Sequence, residues 1–386
     1  IMTDITYIDS DIALEKFCSN IQNAEFIAID TEFMRERTYF PKLCLIQVAT
    51  PEQSACIDPF SIQDFHPLID LFTNQKINKV LHSASQDMEI FLHTFKTLPF
   101  PVFDTQIAAT LTGAGEQIAY ARLVNDMLGV QLDKSHTRTD WSKRPLEPAQ
   151  LQYAADDVRY LAQIYPLQRQ QLETTGRIDW LTADFEKLSD PNTWKPDPEN
   201  IWRKVKGIGK LRGIEIAIVK YLAKFRENAA MQADKPRRFI ISDDLLIDLA
   251  RSKPSSIEAI ERRRGYNPGL IKKYGQDFLE CIKHAQQLPQ SEWPAAPSGK
   301  PLTANQEILA DILMGLVKQQ AQKFQLSPSL LANRKSIEKL ARGQRNIDLL
   351  SGWRFEHGGK TIVDFLDGNI CIGIHQNTVQ LLQENN

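Results

Sequence analysis

Between residues 189 and 200 the chain sets Pro191, Pro196 and Pro198 among polar residues, a composition that resists regular structure. The hydrophobic pattern changes across this stretch, and the change restricts the fold more than any other feature. Before it, strand-sized apolar runs at residues 26–33, 43–49, 55–57, 79–82 and 102–103 are interleaved with segments of helical spacing at 68–72, 87–95, 105–111, 118–128, 148–172 and 180–188. That order implies a three-strand meander continued by strands that alternate with helices, so the expected class is α/β, a mixed sheet with helices packed on it. After the prolines, strand signals almost vanish. Ile214, Ala217, Ile218, Tyr221, Leu222 and Phe225 fall on one helical face, and a second proline-rich break follows at 289–301. The predicted organisation is a mixed domain at 1–190, a linker at 191–208, a helical domain at 209–288, a linker at 289–301 and a second helical domain at 302–386. A chain of 386 residues suits such a division, because single cores usually span roughly 100–200 residues.

Charge separates the same halves. Residues 1–200 hold 17 Lys and Arg against 29 Asp and Glu, whereas residues 201–386 hold 29 against 19. The basic excess lies mainly in residues 201–300, with 20 basic and 11 acidic side chains, and such a segment can face a polyanion. A solvated surface explains a single cluster such as Arg262, Arg263 and Arg264 equally well. No apolar run approaches the roughly 20 residues that a bilayer-spanning helix needs. The first ten residues lack the basic start and apolar middle of a secretory signal, so a cytoplasmic location is expected. Cys18, Cys44, Cys56, Cys281 and Cys371 are scattered without CxxC spacing, which argues against a disulfide scaffold or zinc site.

Asp30 and Glu32 are the most informative pair. Positions i and i+2 of a strand share a face, so the two carboxylates point together at the exit of the apolar run Ile27-Ala28-Ile29. A divalent cation with a preference for hard oxygen ligands, magnesium or manganese, would relieve their repulsion; salt bridges to Arg35 or Arg37 would do so without a metal. Asp87 opens a helix after the run Val80-Leu81-His82, where an acid also suits the helix N-terminus. Tyr153 lies within one turn of both Asp156 and Asp157, and spacing does not choose between them. Gln47 and His82 read as buried hydrogen-bonded residues and Asp104 as a helix cap before Thr105. Gly207-Ile208-Gly209-Lys210 lacks the full phosphate-loop pattern and a preceding strand.

Taken in order, these acids resemble the DEDD exonucleases, which share an Asp-x-Glu, a second-motif Asp, and a third-motif Asp preceded by Tyr or His. Here the matching residues are Asp30 and Glu32, Asp87, and Tyr153 with Asp157. The Tyr four residues before the Asp marks the tyrosine subgroup, and Gln152 excludes the histidine subgroup. The segments Phe-Ile-Ala-Ile-Asp-Thr-Glu-Phe, Leu-Cys-Leu-Ile-Gln, Leu-Asp-Lys-Ser-His-Thr-Arg-Thr-Asp-Trp-Ser-Lys-Arg-Pro-Leu and Tyr-Ala-Ala-Asp-Asp-Val are similar to the ribonuclease D family across nearly all of residues 1–190. Residues 220–248 resemble an HRDC domain, a helical nucleic-acid-binding module. Residues 302–386 resemble a second copy more weakly, through Ser329-Leu330-Leu331 and Ile337-Glu338-Lys339-Leu340. The resemblance implies a ribonuclease H-like mixed-sheet exonuclease domain followed by two all-α HRDC-like domains.

It also implies a chemistry. The expected reaction is hydrolysis at an RNA 3′ end by two Mg2+ or Mn2+ ions about 3.5–4 Å apart. Asp30 would bridge both ions, Glu32 and Asp157 would help hold the ion that activates water, and Asp87 would support the other. Tyr153 would orient the nucleophile, since a phenol of ordinary pKa, about 10, is a poor base at neutral pH. Lys134, Arg138 and Arg144 flank Trp141, a basic stretch with one aromatic suited to phosphates and a stacked base. RNA with a free 3′ end is the expected partner, with trimming of transfer RNA precursors as the role and a monomer as the state. A DNA exonuclease and an inactive RNA-binding scaffold are the competing readings. The presence of all four acids and the tyrosine ranks the scaffold last.

Overall fold

Strand β2 organises the first domain of the computed structural model, which describes residues 5–132, 139–295 and 301–383. The sheet contains β1 (Ile5–Ile8), β2 (Phe26–Met34), β3 (Lys42–Ala49), β4 (Ser54–Ile57), β5 (Asn78–Leu81) and β6 (Val102–Asp104), in the order β1-β4-β3-β2-β5-β6. The β2-β3-β4 meander is antiparallel, while β1, β5 and β6 join in parallel. The sheet is therefore mixed, as the order of apolar runs implies.

Alternation along β2 sorts its side chains between two layers. Ile27 and Ile29 enter a core with α1 (Asp11–Ile21), α2 (His66–Thr73) and α3 (Ser85–Phe95). Phe26 and Ala28 face the opposite layer, where Val158, Leu161 and Tyr165 project from a later helix. The helices that follow β6 are α4 (Thr105–Leu111), α5 (Tyr120–Leu128), α6 (Pro148–Thr174), α7 (Thr182–Leu188) and the single turn α8 (Pro191–Trp194). Pro148 occupies the first turn of α6, where its missing N–H costs nothing, and Glu147 with Gln150 forms a capping box. Helix α6 runs across β2, β3 and β4. Strand β1 and helix α1 are absent from the sequence-based expectation: Ile5–Ile8 is too short to show alternation beside its polar neighbours.

The second unit contains α9 (Ile214–Gln232), α10 (Arg237–Ile240), α11 (Asp243–Ser252), α12 (Ile257–Glu261) and α13 (Pro268–Gln287). Its core extends into the stretch expected to be linker, because Ile201, Trp202, Val205 and Ile208 are buried within it. The prolines mark only the polar part of that stretch. Burial of each large apolar side chain contributes roughly 1.5–3 kcal/mol, enough to draw residues 201–208 into the helical unit.

The last unit contains α14 (Ala304–Lys323), α15 (Pro328–Leu331), α16 (Arg334–Ala341), α17 (Gly352–Arg354) and α18 (Lys360–Leu366). It is not all-α. Strands β7 (Ile370–His375) and β8 (Thr378–Gln383) form an antiparallel hairpin, with Gln376 and Asn377 at φ of 50° and 58°. Two consecutive left-handed residues suit the turn type that matches strand twist, and Ile370, Ile372 and Ile374 supply a period of two. Residues 296–300 of the expected second linker lie outside the described residues. No helix among the described residues is long and apolar enough to cross a membrane.

Both helical units dock on the first domain. Tyr39, on the loop after β2, is buried and donates its hydroxyl to Glu227 of α9; Arg237 pairs with the same carboxylate. Asp234 accepts the backbone N–H groups of Tyr39 and Phe40, each at 3.0 Å. At the other junction Trp180 stacks on Trp353 with centroids 4.7 Å apart, and Arg177 donates to the carbonyl of Phe324 at 2.8 Å.

Candidate active site

Three elements deliver the four acids. Strand β2 pairs with β5 only from Phe26 to Ala28, whereas its pairing with β3 continues to Met34. Beyond Ala28 one side of β2 is thus free of a strand partner, and Asp30 and Glu32 stand on that stretch. Their face is the one covered by α6, which carries Asp157. Helix α3 begins just past the end of β5 and places Asp87 in its first turn, buried.

The turn into α3 is built for this purpose. Ser83 adopts a φ of 60°, a left-handed conformation that a non-glycine residue holds only when its surroundings enforce it. Asp104 supplies the enforcement by accepting N–H groups of Ser83 at 3.1 Å and Ala84 at 2.8 Å. It also caps α4 through the N–H groups of Gln106 and Ile107. The cap expected from sequence is present, with a second duty that spacing does not reveal. Thr31, between the two acids of β2, donates its hydroxyl to Asp87 at 2.5 Å.

The acids are near enough to act on one another electrostatically. Burial pushes the Asp30 carboxyl well above its ordinary range, and the charges of Asp87, Asp157 and Glu32 push in the same direction. Glu32 rises to about 9 through burial and the charges of Asp157 and Asp87. Asp87 rises to about 7, mainly through burial, against the Thr31 hydrogen bond. Asp157 also rises to about 7, through burial and the neighbouring Asp156. Among the described residues none of the four pairs with Lys or Arg; Arg35 instead forms a two-pronged pair with Glu89, both bonds at 2.7 Å.

The structure separates Asp156 from Asp157. Asp156 accepts from Gln152 at 2.7 Å and lies 3.7 Å from Arg159, so it belongs to the helix surface. Asp157 is the one felt by Asp30 and Glu32. Tyr120, missed by sequence reasoning, donates its hydroxyl to the backbone carbonyls of Asp157 at 2.5 Å and Asp156 at 3.2 Å, which fixes this turn of α6. No local motif marks it, because its partner atoms are backbone. Gln47 is paired with Asp30 in the sheet and fully buried, but neither amide atom has a hydrogen-bond partner among the described residues. Gln47 is thus buried as expected, while the expected hydrogen bond is not found among the described residues. His82 does satisfy both ring nitrogens, at Thr105 Oγ1 and the Ile118 carbonyl.

This donor set has the chemistry that hard divalent cations prefer: like-charged carboxylates, Asp87 buried and Asp30, Glu32 and Asp157 partly buried, without a basic partner among the described residues. No three His, Cys, Asp or Glu side chains among the described residues stand close enough together to hold a metal ion as they are placed.

The basic stretch behaves differently from expectation. Lys134 and Arg138 lie outside the described residues. Trp141 is only 3% exposed and packs with Leu45, Cys56, Ala154 and Ala155, so its ring is not a free platform for a base. Its centroid is 6.2 Å from that of Tyr153. Arg144 is committed to Asp58 by two bonds of 2.7 Å and donates to the carbonyls of Cys44 and Trp141. The expectation that both residues touch substrate is corrected; the structure uses them to fasten the segment that supports Tyr153.

A family model described as 3′-5′ exonuclease matches residues 5–173, and an HRDC domain model matches residues 215–282. Ribonuclease D of Sphingobium indicum is 37% identical over 373 residues, which cover 95% of this chain and 96% of the relative. Ribonuclease D of Bartonella henselae is 38% identical over 367 residues, covering 94% of this chain and 89% of the relative. The solved structure of Escherichia coli RNase D, described as an exoribonuclease involved in structured RNA processing, superposes with a TM-score of 0.86 at 32% identity. It covers 95% of this chain and 99% of its own.

Proposed function

The chain belongs to the ribonuclease D family and is a 3′–5′ exoribonuclease, and we propose that it trims the 3′ ends of transfer RNA precursors by metal-dependent hydrolysis. The observation that supports this reading is the electrostatic coupling of Asp30 and Glu32 to Asp87 and Asp157, with each of the four carboxyls raised by burial.

In this reading the four carboxylates would hold divalent ions, Mg2+ or Mn2+, with Asp30 central because it feels all three other acids. When bound, such ions lower the pKa of water and offset negative charge on a phosphodiester. The protein's own part is to keep the acids in place. Thr31 and the Asp104-anchored turn fix Asp87, and Tyr120 fixes the turn bearing Asp157. Tyr153, supported by Trp141, offers a hydroxyl to orient the attacking water. The first helical unit, which matches the HRDC model, binds the body of the RNA, and the unit at residues 302–383 packs against the first domain through Trp353.

Purified protein should release mononucleotides from RNA with a free 3′ hydroxyl in the presence of Mg2+. It should leave 3′-blocked RNA and single-stranded DNA largely intact, and EDTA should stop the reaction. Equal turnover of DNA would replace the RNA assignment, and turnover unaffected by EDTA would remove the metal. Tyr153→Phe should lower kcat by roughly 10²-fold, the scale of a positioned proton-transfer or water-orienting group, with Mg2+ affinity and KM near parental values. A rise in KM at constant kcat would instead make Tyr153 a binding residue.

A further inference from the structure

A cavity of about 370 Å3 opens in the first helical unit, lined by Lys204, Arg226, Arg237, Arg238, Ser242 and Asp243. With Ile201 the lining has seven residues, four of them basic. Ser242 caps α11, a helix of ten residues, so the cavity also meets the positive end of a helix dipole. Arg226 is only 5% exposed, and its Nε–H has no hydrogen-bond partner among the described residues, although its Nη1 donates to Asp243 at 2.6 Å and to the Ile241 carbonyl at 3.2 Å. A buried, incompletely satisfied guanidinium is costly without an acceptor. The one carboxylate of the lining is already engaged, by Arg226 and by the backbone N–H of Lys206 at 2.9 Å. Arg237 is paired with Glu227, while Lys204 and Arg238 form no ion pair among the described residues. The lining therefore holds positive charge beyond what its own acid neutralises.

Its place in the molecule is informative. Arg237 touches the Tyr39 hydroxyl at 3.4 Å, and Tyr39 stands on the loop that leaves β2 just after Glu32. The cavity thus adjoins the junction between the helical unit and the acid-bearing domain. We propose that it binds a backbone phosphate of the same RNA strand whose 3′ end lies among the acids. This assignment rests on RNA being the substrate. Tetrahedral phosphate oxygens suit a group of guanidinium and ammonium donors at a helix N-terminus.

The test uses the full-length protein and the double variant Lys204→Ala/Arg238→Ala, both positions being exposed. Binding of a 20-nucleotide RNA is measured in EDTA, without turnover, across a range of salt. The variant should bind about tenfold more weakly at low salt, and its slope of log K against log salt should fall by about 0.7 for each phosphate no longer neutralised. Turnover of a dinucleotide in Mg2+ should be unchanged, since its single phosphate cannot occupy the acid site and this cavity together. Unchanged RNA affinity and slope would overturn the proposal, as would an equal loss of dinucleotide turnover. Inorganic phosphate provides the other arm: if it raises the melting temperature of the parent but not of the variant, while RNA binding is the same for both, the cavity takes a small anion rather than RNA. Failure of the parent to degrade RNA would refute the proposed function separately, because the binding comparison needs no catalysis.

Discussion

Asp30→Asn is expected to reduce RNA turnover by on the order of 10³-fold or more, equivalent to about 4 kcal/mol of transition-state stabilisation, while the protein stays folded. Asparagine keeps the volume of the side chain and removes the charge on which the other three acids converge. The same change should stabilise the metal-free protein. Glu32 is raised to about 9 and Asp87 and Asp157 to about 7, whereas carboxyls of the unfolded chain titrate near 4. The folded state consequently holds more protons than the unfolded state between those values. The stability these groups contribute is present at low pH and is lost as pH rises through about 7 to 9. In EDTA the parent should melt at a lower temperature at pH 8.5 than at pH 6, and Mg2+ should reduce that difference. The variant in EDTA should show a smaller difference than the parent. Near-parental RNA turnover by Asp30→Asn, or melting temperatures of the metal-free parent that do not respond to this pH change, would remove Asp30 from the centre of the site.

The residues that announce this site in the sequence share a property: their chemistry is readable from side-chain type and local period. Asp30 and Glu32 depend on the two-residue repeat of a strand, and Tyr153 with Asp157 on one turn of helix. The apolar runs are likewise enough for the sheet, because burial on both faces leaves a continuous hydrophobic signal in β2, β3 and β5. What escapes depends on atoms that composition does not describe. Tyr120 acts on backbone carbonyls, and Asp104 reaches the turn at Ser83 across about twenty residues. The choice of Asp157 over Asp156 by local geometry requires the third dimension, since helical spacing brings both near Tyr153. Trp141 and Arg144 mislead for a related reason. An aromatic among basic residues has the same composition whether it faces a nucleotide or closes over the protein's own core, and only the partners Asp58 and Ala154 distinguish the two.

That distinction leads to the largest expected effect on stability. Arg144→Ala should destabilise the first domain by about 3 kcal/mol or more, because removing one partner of a buried pair leaves the other charged and unpaired. Asp58 is 3% exposed and accepts from Arg144, from Tyr7 at 2.8 Å and from the N–H of Phe60. Burial would raise its carboxyl, but the hydrogen bonds of Arg144, Phe60 and Tyr7 outweigh burial and hold it below the ordinary value. The sign of its linkage is opposite to that of the catalytic acids: Asp58 contributes stability above about pH 4, and that contribution is lost as pH falls through its folded value. Arg144→Ala should accordingly lower the melting temperature most at neutral pH and less in acid. It should also lower kcat, since the segment carrying Trp141 loses its tie to Cys44 and with it the support of Tyr153. RNA affinity measured in EDTA should stay within about twofold of the parent, because a guanidinium already bound to Asp58 neutralises no phosphate. A melting temperature equal to the parental one, with weaker RNA binding and a shallower salt dependence, would return Arg144 to the substrate. Asp58→Asn supplies the independent check. It keeps the shape of the pair, removes its charge, and should reproduce the stability loss in part while leaving the salt dependence of RNA binding unchanged.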